Sequence, residues 1–179
     1  KHEIIIDNDT PRKGGLYVET QAAHHWQQTD SVGFAIHDGV YVDQENPFRA
    51  GTARQVKTVE HNRNASEISY LPTIPETGRY AVYVSYQTMP GSIDDAHYTV
   101  WHQGIPTEFR VNQQMGGSTW VYLGTFDFDK GSSADNRVVL SNQSEHEGIV
   151  TADAVRFGGG MGNIRRGYTT SGMPRYLEG

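Results

Sequence analysis

Apolar and polar residues alternate over short stretches through most of this chain, a period of two that belongs to strands rather than helices. The clearest stretch is RYAVYVSY, Arg79 to Tyr86, where Tyr80, Val82, Val84 and Tyr86 face one way and Ala81, Tyr83 and Ser85 the other. PETG stands before it, a turn suited to strand entry. Glu3 to Asp7 is a short apolar run ending in the turn-prone DNDTP, and Leu16 to Thr20 is a second. Arg54 to His61, His97 to Gln103, Glu108 to Asn112, Thr119 to Phe126, Arg137 to Asn142 and Gly148 to Phe157 continue the series. HQGIP, MGGS and DKGSS lie between them and carry the Gly that hairpin connections demand. Short strands at regular intervals predict an all-β fold, a sandwich or a barrel. Only Ala22 to Gln28 is allowed as a short helix.

From Gly158 the period is lost. GGGMGNIRRGYTTSGMPRYLEG is rich in Gly and Arg, so the compact domain is expected over residues 3–157. Residues 158–179 read as a linker or the start of a flanking domain. No internal repeat is evident. The chain opens at Lys1 with neither a leader-like stretch nor an initiator Met, which is expected of a mature or excised piece.

Composition narrows the partners. At 179 residues the chain is long enough to bury a core without covalent staples. A formal net charge of -6 argues against a nucleic-acid partner, which would require a basic patch, and against an anionic membrane surface. No apolar run approaches the ~20 residues that span a bilayer as a helix. With no cysteine there is no disulfide, no thiolate zinc site and no Cys nucleophile. A neutral or polyhydroxylated partner remains open.

The usual catalytic signatures (GxSxG, HExxH, SxxK, a P-loop, GxGxxG after a strand) are missing, and no catalytic residue is assigned. An enzyme built from this chain would have to use His97 or His102 with Asp94 or Asp95. His97 and His102 are an odd number of residues apart and face opposite ways, and His24 and His25 are adjacent, so neither pair makes a metal site by itself. Asp7 and Asp9 form a D-x-D in the turn after the first strand, and Asp153 sits in the last strand signal, TADAVRF. First and last strands often pair in sandwiches, so these oxygens are candidate metal ligands for a structural calcium. The alternative is that Asp7 and Asp9 form the turn through bonds to nearby backbone amides.

Aromatic side chains supply the candidate ligand platform, because the C–H faces of sugars lie well on rings with a polar tip. Trp26, Trp101 and Tyr41 are the candidates. Trp26 lies in the polar stretch HHWQQTD, Trp101 falls on the outer face if Val100 is buried, and Trp120, followed by VYLGTF, is expected in the core.

IIDNDTP, HHWQQTDSVGF, YLPTIPETGRYAVYVSY, DDAHYTVWHQG, VNQQMGGSTWVYLGTFDFDKG and GIVTADAVRF, in that order, resemble the golvesin/xanthan-lyase-type carbohydrate-binding-like domain from about Ile4 to Phe157. The resemblance implies an antiparallel β-sandwich of the jelly-roll or galactose-binding type. It also implies a noncatalytic role in a secreted, periplasmic or cell-surface bacterial protein. The partners would be a polysaccharide or cell-wall glycan and a flanking catalytic domain of the same polypeptide. The alternative is an interaction domain that packs on a neighbouring hydrolase and binds no glycan. The recurrent Trp120, Gly124 and Asp153 would serve the fold, and Phe34 to Pro47 is more acidic and polar than the resemblance implies.

Overall fold

Alternating burial organises the strands into two facing layers. The computed structural model describes residues 2–30, 33 and 51–159, with the backbone of a strand at 168–170. One antiparallel sheet contains, in spatial order, β1 (Glu3–Asp7), β12 (Ala154–Gly158), β6 (Gly78–Val84) and β9 (Val121–Phe128). The other runs β13 (Tyr168–Thr170), β8 (Ile105–Val111), β7 (Ala96–His102), β10 (Arg137–Ser141), β5 (Glu67–Pro72) and β2 (Gly15–Thr20). A three-stranded sheet of β11 (Ile149–Ala152), β4 (Arg54–Lys57) and β3 (Gln27–Gln28) completes the strands among the described residues. This is the all-β antiparallel sandwich expected.

The core is the meeting of the inward rows. Ile4, Ile6, Val82, Val84, Leu123, Val155 and Phe157 of the first sheet share one buried cluster with Ile68, Tyr70, Tyr98, Val100, Phe109, Val138 and Leu140 of the second. Phe128 packs edge-on to Phe157 at 5.5 Å between ring centroids, a favoured aromatic geometry. Tyr80, Val82 and Val84 point inward as the alternation requires, while Tyr83 is buried on the opposite face beneath the Arg156 guanidinium, 4.8 Å from its ring.

The structure departs from the sequence expectation in several elements. Ala22 to Gln28 is not helical; it bends into β3, and the only helical turn among the described residues is the 3-10 turn Asn62–Asn64. Strand β5 was missed, although Ile68, Tyr70 and Pro72 alternate in it as buried residues. Gly148 to Phe157 is two strands, because the chain leaves the three-stranded sheet at Ala152 and enters the four-stranded one at Ala154. Asp153 is the residue at the crossing, and it is fully buried.

Candidate functional site

The broad outer face of the six-stranded sheet is set by strand register. Trp101 alternates with the buried Val100 and is itself half-buried, so it lies on the outer face. Its neighbours across the sheet are Arg137 of β10 and Pro106 of β8. The Arg137 guanidinium lies over the indole, 5.2 Å from the ring centroid, a cation–π contact that fixes the ring and puts a cation beside it. The next outward row is Glu108, Thr99, Val139, Ser69 and Val18, one residue from each of five strands. At the usual strand spacing that row crosses about 19 Å. The third row brings Arg110, His97, Ser141, Glu67 and Thr20 into line.

Polar groups on this face are partly spoken for. His97 Nε2 meets Glu108 Oε1 at 2.6 Å. Burial lowers the His97 pKa, and the nearby Arg110 acts the same way. His102 lies at the other end of the strand, against the Phe126 ring and bonded to Thr107 Oγ1 at 2.8 Å. Neither histidine makes the ion pair with Asp94 or Asp95 that an enzyme reading would need. The imidazole that meets those carboxylates is His146, with Nδ1 at 2.9 Å from Asp94 and 3.8 Å from Asp95. The hydrogen bond to Asp94 raises the His146 pKa. This exposed trio brings three possible ligand atoms within 4.8 Å of one another.

The other candidate residues sit as follows. Trp26 is a correction: it is 6% exposed and belongs to the core cluster, so it presents no platform. Its backbone N–H donates to Gln21 Oε1 at 2.7 Å. Tyr41 lies outside the described residues. Trp120, expected in the core, is only half-buried, with the Arg156 guanidinium 6.0 Å from its ring on the outer side of the four-stranded sheet. Arg156 also pairs with Glu3 at 3.1 Å. Sequence reasoning did not single out Arg137, Glu108 or Arg156. The signal for Glu108 was the hairpin: a two-residue turn at Gln103–Gly104 puts it opposite Thr99.

Asp7 and Asp153 come together because β1 pairs with β12, with Asp7 opposite Ala154. Both are buried, at 2% and 0% exposure. Burial, reinforced by the Asp153 carboxylate, pushes the Asp7 pKa up to about 9. Asp7 Oδ2 has no hydrogen-bond donor. Asp9 is turned outward, where its carboxylate accepts from the Thr52 N–H at 2.7 Å and from the Thr52 hydroxyl. A hollow of about 520 Å³ lined by Glu3, Ile5, Asp7, Arg12, Lys13 and Thr73 adjoins this end of β1.

The two facing antiparallel sheets form a β-sandwich whose fold is similar to that of a carbohydrate-binding module. The C-terminal CBM6 of LamC, a marine laminarinase from Zobellia galactanivorans, superposes with a TM-score of 0.50 at 14% identity, over 88% of this chain and 100% of that one. A Paenibacillus xanthan lyase superposes with a TM-score of 0.62 at 22% identity, over 87% of this chain and 13% of that one. The chain belongs to the Golvesin C-terminal domain family, whose model matches residues 43–159. Xanthan lyase of Bacillus sp. (strain GL1) is 30% identical over 101 residues, 54% of this chain. The chain spans about a tenth of that relative's length, 11%.

Proposed function

We propose that this chain is a noncatalytic glycan-binding module of a larger, exported polysaccharide- or cell-wall-degrading protein. It engages its glycan through the outer face of the six-stranded sheet. The observation that carries this reading is Trp101, held on that face by Arg137, with Glu108, Thr99 and Ser69 in the next row beside Val139 and Val18. An indole offers a sugar ring an apolar surface, and the neighbouring hydroxyls and charges offer hydrogen bonds to its rim. Arg137, beside the indole, is placed to meet a carboxylate on a glycan lying there. The family and the xanthan lyase relatives support the assignment and make xanthan the first polymer to try. The flanking catalytic domain belongs to the same proposal, since the relatives are several times longer than this chain.

Native affinity electrophoresis tests it. The domain should be retarded in gels containing xanthan or another acidic polysaccharide. Trp101→Ala should lose the retardation, and Arg137→Ala should weaken it by about tenfold. Trp120→Ala, on the opposite outer face, should leave it unchanged. Unchanged mobility of the wild type in every gel would overturn the reading.

A second reading has its own observation. Leu16 and Val18 are 40% and 36% exposed on β2, the edge of the same sheet. Apolar side chains in such a place suit a module that packs against a neighbouring domain of its own polypeptide. In that case Leu16→Glu with Val18→Glu would expose the junction of the full-length protein to limited proteolysis, while gel mobility would never have depended on glycan.

A further inference from the structure

The inward turn of Trp26 sends its neighbours along the chain, His25 and Gln27, to the opposite side. On β4 the buried Val56 does the same for Gln55 and Lys57. Strands β3 and β4 pair with Gln27 opposite Gln55, and the same register carried two residues back sets His25 against Lys57. On the far side of β4, Ile149 stands opposite Lys57.

These side chains, with His24, line a hollow of about 290 Å³ on the outer side of the three-stranded sheet. It shares no residue with the face around Trp101. Its wall is held by distant contacts. The Ala22 N–H donates to Ser66 Oγ at 2.9 Å, the Ser66 hydroxyl donates to the His24 carbonyl, and the Ala23 N–H donates to the Asn64 carbonyl at 3.2 Å. A wall fixed in advance lowers the ordering cost of taking a ligand.

The polar groups in the hollow are unspent. Gln21, Gln103, Gln113, Gln114 and Gln143 each donate through Nε2 to an oxygen of the protein. Gln27 and Gln55 face each other across one rung and have no such partner among the described residues, nor do the side chains of His24, His25 and Lys57. An amide offers a donor and an acceptor together, which suits neighbouring hydroxyls on one ring. Ile149 offers an apolar wall to the C–H groups. Lys57 is a cation, and no carboxylate lines the hollow. Its volume is at the small end of ligand pockets. With the turn at His24 as a wall, it takes one ring at the end of a chain, whereas the open face around Trp101 suits a run of them.

We infer that this hollow is a second glycan site, which takes a terminal sugar unit bearing a carboxylate. The sugar hydroxyls meet the Gln27 and Gln55 amides, and the carboxylate meets Lys57. The inference draws only the class of ligand from the glycan reading above and does not depend on Trp101.

Nitrogen–proton correlation spectra of the whole chain test it, with methyl glucuronide and methyl glucoside as probes. The glucuronide should shift the side-chain NH2 signals of Gln27 and Gln55 and the Ile149 amide, with a Kd of about 1 mM. Those NH2 signals are identified by their loss in Gln27→Ala and Gln55→Ala. The glucoside should bind about tenfold more weakly, and Lys57→Met should remove the difference between the two probes. An oligosaccharide ending in the uronate should shift the same signals, and one carrying its uronate only internally should not. Trp101→Ala should leave every one of these shifts in place. Silent Gln27 and Gln55 side chains at ~50 mM glucuronide would overturn the inference, as would equal response to the two probes or to the internal uronate. Shifts confined to Trp101 and its neighbours would sink this site and leave the glycan face standing. Shifts in the hollow of a protein that no gel retards would do the reverse.

Discussion

Single residues decide whether a buried polar group helps or harms this fold. Gln113 is fully buried, and its side chain does the work of a missing strand partner. Its Oε1 accepts the Thr151 N–H at 2.9 Å, and its Nε2 donates to the Thr151 carbonyl at 2.8 Å. The amide thus pairs the backbone of β11 as a neighbouring strand would. Gln113→Leu keeps the volume but strands that N–H and C=O, each at a cost of about 1–3 kcal/mol. Urea unfolding should show a loss of about 2–6 kcal/mol with an unchanged m-value. The same scale explains which site residues were legible. Trp101 could be placed from Val100 beside it, because alternation fixes the face of a residue once its neighbour is buried. Trp26 could not. Its burial depends on contacts far apart in sequence: the Ala22 N–H donates to Ser66 Oγ at 2.9 Å, and Ser66 in turn donates to the His24 carbonyl. Polar neighbours in the sequence carry no sign of that closure.

Elements were legible where a turn announced them. HQGIP marks the β7–β8 hairpin, and Gln103 and Gly104 take φ of 53° and 79°, the left-handed pair that matches the twist of the flanking strands. Gly104 has open space where a Cβ would go, the nearest atom being Asp135 Oδ1 at 3.6 Å. The cost of Gly104→Ala is therefore conformational, about 1–2 kcal/mol. Calorimetry should record a Tm lower by about 2–8 °C with the fold retained. Had Ala clashed, the loss would be larger, so this substitution isolates backbone preference. Strand β5 shows the opposite case. Its alternation is clear, but Pro72 ends it and Ser, Asn and Glu crowd its start, so the segment reads as loop until β10 and β2 are seen on its two sides. The division of Gly148–Phe157 was hidden for a related reason. Both halves have strand character, and only their pairing with different sheets reveals the crossing at Asp153.

At the scale of the whole molecule, the sandwich class followed from period and turn spacing. The identity of its outer faces did not, because those depend on which strands become neighbours. Pairing also sets how the domain carries load. β1 and β12 run antiparallel from Glu3 opposite Gly158 to Asp7 opposite Ala154, so the chain enters and leaves the sheet side by side. Tension applied through the segments before Glu3 and after Gly158 therefore peels the ladder rung by rung, since antiparallel hydrogen bonds lie across the strands. Single-molecule pulling through those segments should open the domain at lower force than pulling between Glu67 and Gly104, both on the other sheet, which leaves that ladder unloaded. The tear would run toward Asp7, where the ladder ends. Anchored at both ends in a longer polypeptide, the domain would act as a compliant joint that gives way first along this one ladder.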